Sequence, residues 1–275
     1  MGNSIYFSKD EQRLAAELGA LFNEWMALIK TKKAIEFADD KKFYPAIDYF
    51  NTDGFYPGYL LNKTKVLFIG REGRYEAGKD RIQSDLKIWR ENPDLCLNTP
   101  FWRRVFYILY GIRTEGKFSF GDIPPAINIL NEMNRTGNYG FAFMNISKYA
   151  NGSENGGSAD YNLINRFLAD SELDKRNFLR EEIKILNPDV IIAMNLWNGK
   201  IDQSELDKVF PPEDFSENLS KQKNISVYNF SLNGKNVKFL DMYHFSSPKS
   251  DREDFYEPAM YAIFGEQPGS EKSCG

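Results

Sequence analysis

The chain has 275 residues, 42% of them hydrophobic, which is enough to bury a sizeable core and too much for a disordered chain. Two cysteines, Cys96 and Cys274, exclude a disulfide framework, a four-cysteine zinc site and an all-cysteine iron–sulfur cluster, and one histidine, His244, leaves few metal sites of the nitrogen and sulfur type. Net charge is −4, which does not advertise nucleic-acid binding, yet residues 60–104 hold ten basic against six acidic side chains, so this sector is +4 and the remainder −8.

Residues 8–30 place Leu14, Leu18, Leu21, Trp25, Leu28 and Ile29 at helical spacing, with Ser8 and Glu11 in a capping-box pattern, and predict an amphipathic helix. No basic region followed by an apolar core precedes it, and no apolar run reaches the roughly 18 residues of a membrane span, so a cytoplasmic protein is expected. "YFNTDGFYPGYLLN" (49–62) reads as an aromatic-rich loop punctuated by Asp53-Gly54 and Pro57-Gly58. "KVLFIG", ending at Gly70, is a continuous apolar run of strand length, the mark of a strand covered on both faces; "FAFMNI" (141–146) and "DVIIAMN" (189–195) share its character. Helical patterns fall between these runs. "TPFWRRVFYILYGI" (99–112) has Thr99 as N-cap, Pro100 at the first helical position, and Arg103 and Arg104 on a solvated face; "DIPPAINILNEMNR" starts at Asp122; "KRNFLREEIKILN" closes just before the third apolar run.

This alternation predicts an α/β fold, a three-layer α/β/α sandwich around a small, mostly parallel central sheet. "ISVYNFSLNGKNVKFLDMYHF" (225–245) holds Asn233-Gly234 between two β-rich runs, which predicts a late β-hairpin. Its first run is expected as an antiparallel edge and its second as the last strand of the sheet, with His244 at the carboxyl end. The loop "ANGSENGGSADYN" (150–162) is flexible by composition. A single domain is expected over residues 1–267, with 1–59 packed on it as a helical and loop extension and 268–275 a disordered tail.

Open α/β sheets bind ligands beyond the carboxyl ends of their strands, so the loops expected after Gly70, after Asn145 and at His244 are the places to look for chemistry. Within the first, residues 73–79 spell G-x-x-x-x-G-K, as in a phosphate-binding P-loop, but Asp80 stands where the magnesium-binding hydroxyl belongs and the pattern begins three residues late.

Taken together, the three segments resemble the uracil-DNA glycosylase superfamily. "VLFIGREGRYE" resembles its first motif, "FAFMNISKY" its second conserved strand, "EEIKILNPDVIIAMN" its helix-then-strand segment, and "YHFSSPKS" its closing histidine motif. The resemblance implies a DNA glycosylase that flips a base, uracil or a related one, out of DNA and hydrolyses its N-glycosidic bond without cofactor or metal. It implies that Asn145, with Gly70 beside it in the base pocket, reads the base through an amide that both donates and accepts. His244 would donate to uracil O2 as charge develops there, and Glu72 would handle the water. Arg71, Arg74, Ser246, Ser247 and Lys249 would grip the DNA backbone. A monomer acting on single- or double-stranded DNA is expected, with no membrane partner. Two departures are visible: Gly73 and Arg74 stand where the superfamily carries Pro-Gly or Pro-Tyr, and the last motif reads His-Phe-Ser-Ser-Pro in place of His-Pro-Ser-Pro. A catalytically lapsed nucleic-acid- or nucleobase-binding protein on the same fold is therefore the alternative. Plainer roles also stand open: His244 as a structural donor, Asn145 as a turn cap, and Glu72 as an ion-pair partner of a neighbouring arginine.

Overall fold

The computed structural model describes residues 7–36, 42–74, 78–152, 159–216 and 225–265, with Arg74, Leu95 and Cys96 described by their backbone alone. The elements are, in chain order, α1 (Lys9–Ile29), β1 (Gly54–Phe55), β2 (Val66–Arg74), α2 (Arg81–Glu91), α3 (Pro93–Leu97), α4 (Pro100–Arg113), α5 (Ala126–Thr136), β3 (Ala142–Asn151), α6 (Tyr161–Asp170), α7 (Phe178–Leu186), β4 (Val190–Met194), α8 (Gln203–Val209), β5 (Ile225–Leu232), β6 (Lys235–Met242) and α9 (Glu257–Phe264).

The expected sandwich is what forms. Six strands lie in the order β1-β3-β2-β4-β6-β5, with parallel pairing at the centre and antiparallel pairing at both edges. β4 and the first halves of β2 and β3 read as continuous apolar runs because alternate residues feed two cores, one on each face. Leu67, Ile69, Met144 and Ile191 face α1, α6 and α7 and pack with Trp25, Phe167 and Ile183. Val66, Phe68, Phe143 and Ile192 face α2, α4 and α5 and pack with Trp89, Val105 and Leu130.

Local signals act where expected. Ser8 caps α1 and the Glu11 carboxylate accepts back from the Ser8 N–H, completing the capping box. Asn233 and Gly234 both take positive φ, 51° and 74°, joining β5 to β6 as a primed hairpin turn with β5 at the sheet edge. The described residues before 59 are built into the first layer: Trp25 stacks on Phe178 with ring centroids 5.5 Å apart, and β1 closes the sheet against β3.

Three expectations need correcting. Gly70 and Asn145 are not followed by loops. After β4 pairing ends at Ile69, β2 and β3 go on pairing with each other, Gly70 opposite Asn145 and Glu72 opposite Ser147, out to Arg74 and Asn151. Helix α5 begins at Ala126 and not at Asp122, because the Asp122 carboxylate accepts from the Ser119 hydroxyl in a preceding 3-10 turn and Pro125 serves as the N-cap. Arg104 is not solvated but 3% exposed, covered by the loop that follows β6. Residues 153–158 of the glycine-rich loop and the tail 268–275 lie outside the described residues. Among the described residues no helix is long and apolar enough to cross a membrane.

Candidate active site

A cavity of about 560 Å³ opens at the carboxyl ends of β2 and β3, on the face that carries α2 and α4. Its floor follows from strand alternation. Phe68 and Phe143 are core residues, so the next side chains up on that face, at Gly70, Asn145 and Glu72, leave the core and line the cavity. Gly70 is required by volume and not by backbone conformation. A Cβ there would meet Asn145 Oδ1 at 2.5 Å and Phe143 Cζ at 3.2 Å, so the missing side chain is the space the amide occupies.

Asn145 is 7% exposed, and among the described residues no hydrogen bond is made to its carboxamide, which leaves a donor and an acceptor on the cavity wall. Its backbone is held from behind: the N–H donates to Asp53 Oδ2 at 2.8 Å. Asp53 in turn belongs to a buried ionic cluster in which Lys148 Nζ lies 2.5 Å from Asp53 Oδ1 and 2.8 Å from Glu182 Oε2. One ammonium between two carboxylates cannot neutralise both. Burial, and after it the Asp53 charge, push the Glu182 carboxyl well above the usual carboxylate range, so Glu182 keeps its proton while Lys148 serves Asp53. Sequence reasoning does not find this cluster. Its only sequence signal is a lysine inside an apolar strand, "MNISKYA".

His244 reaches the same cavity from the loop after β6. The Ser246 backbone N–H donates to Nδ1 at 3.2 Å, which assigns the ring proton to Nε2 and makes the imidazole neutral, with Nε2–H as its donor. The loop is clamped by Arg104 of α4. Arg104 Nη1 donates to the carbonyls of Phe245 (2.6 Å) and Ser247 (2.8 Å), Nη2 to that of Lys249 (2.5 Å), and Nε to Asp251 Oδ1 (2.7 Å). The guanidinium carbon also sits 4.0 Å over the Phe255 ring. Residue type alone places this arginine in water, since an arginine is almost never buried without partners; a loop about 140 residues away supplies them through its carbonyls.

Glu72 stands on the wall, its Oε1 accepting from Asn151 Nδ2 at 3.0 Å and from the Asp160 N–H at 3.1 Å. Arg71 turns to the opposite side of the strand and donates from Nη1 to the Tyr161 hydroxyl at 2.5 Å, while still reaching the cavity rim. Ser246 and Ser247 complete the rim. Lys249 does not line the cavity and lies 4.8 Å over the Tyr243 ring, and the Arg74 side chain is outside the described residues.

Residues that sequence reasoning passes over supply the apolar wall. Phe101 and Trp102 of α4 and Phe143 of β3 surround the slot, with Phe101 5.8 Å from the His244 ring and 6.0 Å from Phe143 between centroids. Arg81 also lines it, its Nε donating to Asp85 at 3.1 Å. The P-loop pattern does not build a phosphate cradle: Gly73 belongs to β2, and the Asp80 carboxylate already caps α2 by accepting from the Gln83 N–H. Among the described residues no three of His, Cys, Asp and Glu are grouped to hold a metal.

The arrangement is thus a half-apolar slot with an amide on its floor, an imidazole N–H and a carboxylate on its walls, and a cation at its rim. Such a slot suits a planar polar heterocycle: aromatic faces to stack on, and polar groups on the floor and walls to meet its edge. No family model, no curated protein and no solved structure matches this chain.

Proposed function

We propose that the protein accepts a base extruded from DNA into this cavity and hydrolyses its N-glycosidic bond. The reading is carried by one observation: Gly70 and Glu72, Asn145, His244 and Ser246–Ser247, drawn from three distant segments, line a single cavity. In this mechanism Asn145 pairs with the base edge and Phe101 covers its face. Water adds to C1′ as the C1′–N bond breaks, the bonding electrons leave with the base, and the Nε2–H of neutral His244 stabilises the charge that appears on the base oxygen. Glu72 orients the water and takes its proton. The aromatic wall excludes bulk solvent, which strengthens each of these interactions.

A second reading, a binder that holds a base without cleaving, is favoured by the Glu72 carboxylate already accepting two protein hydrogen bonds through Oε1. Incubating single and double strands that contain uracil with the protein, then treating them with alkali, separates the two. Strand scission that falls at least about 100-fold in Asn145→Ala and His244→Ala supports hydrolysis. Measurable affinity with no scission supports the binder. Scission unaffected by either substitution refutes the site.

A further inference from the structure

We infer that Arg71, Tyr161 and Lys200 form a phosphate subsite at the rim of the cavity. The inference rests on the nucleotide reading of the cavity only for what carries the phosphate. Arg71 is anchored by one bond, Nη1 to the Tyr161 hydroxyl, and its Nε is a buried donor with no hydrogen-bond partner. Lys200, from the loop after β4, lies over the same ring with Nζ 5.1 Å from the centroid, while the Arg71 guanidinium carbon is 5.8 Å from it. Two cations thus share one tyrosine, and among the described residues neither makes an ion pair. Among the described residues the carboxylates nearest in sequence to Arg71 and Tyr161 have other work: Glu72 accepts from Asn151 and from the Asp160 N–H, and Asp160 caps α6 by accepting from Leu163.

A buried guanidinium N–H without an acceptor is a group waiting for one. The Tyr161 bond uses Nη1 and leaves the Nε edge of the planar fork, the edge that meets two oxygens of an oxyanion side by side. Lys200 adds a compact charge over the same tyrosine ring, and the two cations supply the chemistry that a phosphodiester or phosphomonoester needs. The position is consistent with a nucleotide: although Arg71 turns to the opposite side of the strand from Glu72, it still reaches the cavity rim, so a phosphate at Arg71 lies at the mouth of a slot whose floor takes the base.

The test is fluorescence anisotropy of a labelled 15-residue single DNA strand, titrated at several salt concentrations against wild type, Arg71→Gln, Arg71→Lys, Lys200→Gln and Tyr161→Phe, with thermal unfolding as the folding check. Arg71→Gln and Lys200→Gln are expected to weaken binding about tenfold each and to lower the slope of log K against log salt by about 0.7 for each cation removed. Arg71→Lys fails to restore affinity, because an ammonium lacks the fork, and Tyr161→Phe gives an intermediate loss by freeing the guanidinium. Competition by 2-deoxyribose 5-phosphate that disappears in Arg71→Gln assigns the subsite to a terminal phosphate; competition by unlabelled strand alone assigns it to the polymer backbone. Wild-type affinity and slope in both charge variants, or no binding of either probe by wild type, overturns the inference. Arg71-dependent binding without base release leaves the subsite standing and removes the hydrolase, whereas base release unaffected by Arg71→Gln and Lys200→Gln does the reverse.

Discussion

Replacing Gly70 with alanine tests the floor of the cavity without assuming any activity. Gly70 has ordinary extended backbone and is absent from the positive-φ positions, so in an empty environment alanine would stabilise this strand by about 0.5–1 kcal/mol. The environment is not empty. The new methyl carbon would stand 2.5 Å from Asn145 Oδ1, about 1 Å inside ordinary van der Waals separation, and 3.2 Å from Phe143 Cζ, which as a ring tip can yield a few tenths of an ångström. Residues 70 and 145 are direct register partners, so the strands cannot separate locally and the amide must rotate away. Overpacking of this kind costs about 1–3 kcal/mol. In an Asn145→Ala background the obstructing oxygen is gone and the same substitution should be neutral or stabilising. Urea unfolding of wild type, both single variants and the double variant should therefore give a coupling energy of about 2 kcal/mol. Gly70→Ala should also lose base binding as fully as Asn145→Ala. Additivity within about 0.5 kcal/mol would refute the claim that the amide lies over the glycine.

Other perturbations follow from the buried charges. Burial holds the Glu182 carboxyl well above the ordinary glutamate range in the folded chain, so wild-type stability falls as pH rises above that range; Glu182→Gln removes that slope and gains on wild type by up to about 1.4 kcal/mol per pH unit as pH rises from about 5, read from urea midpoints. An unchanged slope would mean that Glu182 is ionised when folded. Asp241 is pushed up to about 6 by burial, while the backbone N–H groups of Leu196 and Trp197 hold it down, so its contribution is complete below about pH 4 and lost by the time pH passes 6. Asp241→Asn should abolish this decline of about 3 kcal/mol, measured across pH 4–6.5. Arg104→Ala leaves the Phe245 and Lys249 carbonyls without their donor, while Ser247 keeps the Lys249 N–H and Asp251 keeps Arg103, and should cost about 1–3 kcal/mol in urea unfolding, with Arg104→Lys intermediate and any His244-dependent activity lost in both.

The sheet was legible because its signals are local or doubly enforced. A strand buried on both faces has no polar residue to disguise it, and Asn233-Gly234 specifies its turn by backbone conformation alone. Where prediction stopped short, the deciding contact was remote. The polar ends of β2 and β3 look like loop in isolation and become strand only because each supplies the other's hydrogen bonds. Asp122 resembles a helix cap until Ser119 engages it first. Lys148 shows locally only that it follows an apolar run, and nothing near it in sequence names its partners, since Asp53 and Glu182 come from the loop before β1 and from α7.

The site divides the same way. Chemistry-bearing residues were recognisable as types in sequence: an amide after an apolar run, a lone imidazole after a hairpin strand, a glycine at a strand's turning point. What positions them was not, because positioning is done by groups whose sequence character suggests something else. Arg104 looks like a solvated helix residue and serves as a four-bond clamp on the His244 loop. Asp53 looks like a turn residue beside Gly54 and holds the backbone of Asn145. Gly70 looks like a strand terminator and is a space cut for a side chain on the neighbouring strand. Each acts from behind the group it positions: the amide of Asn145 and the imidazole of His244 line the cavity while the main chain that carries them is tied to the body of the protein. A slot whose recognition groups are fixed through their backbone is preorganised for a ligand it has yet to meet, and it is on that preorganisation, more than on the identity of any one residue, that the glycosidic reading depends.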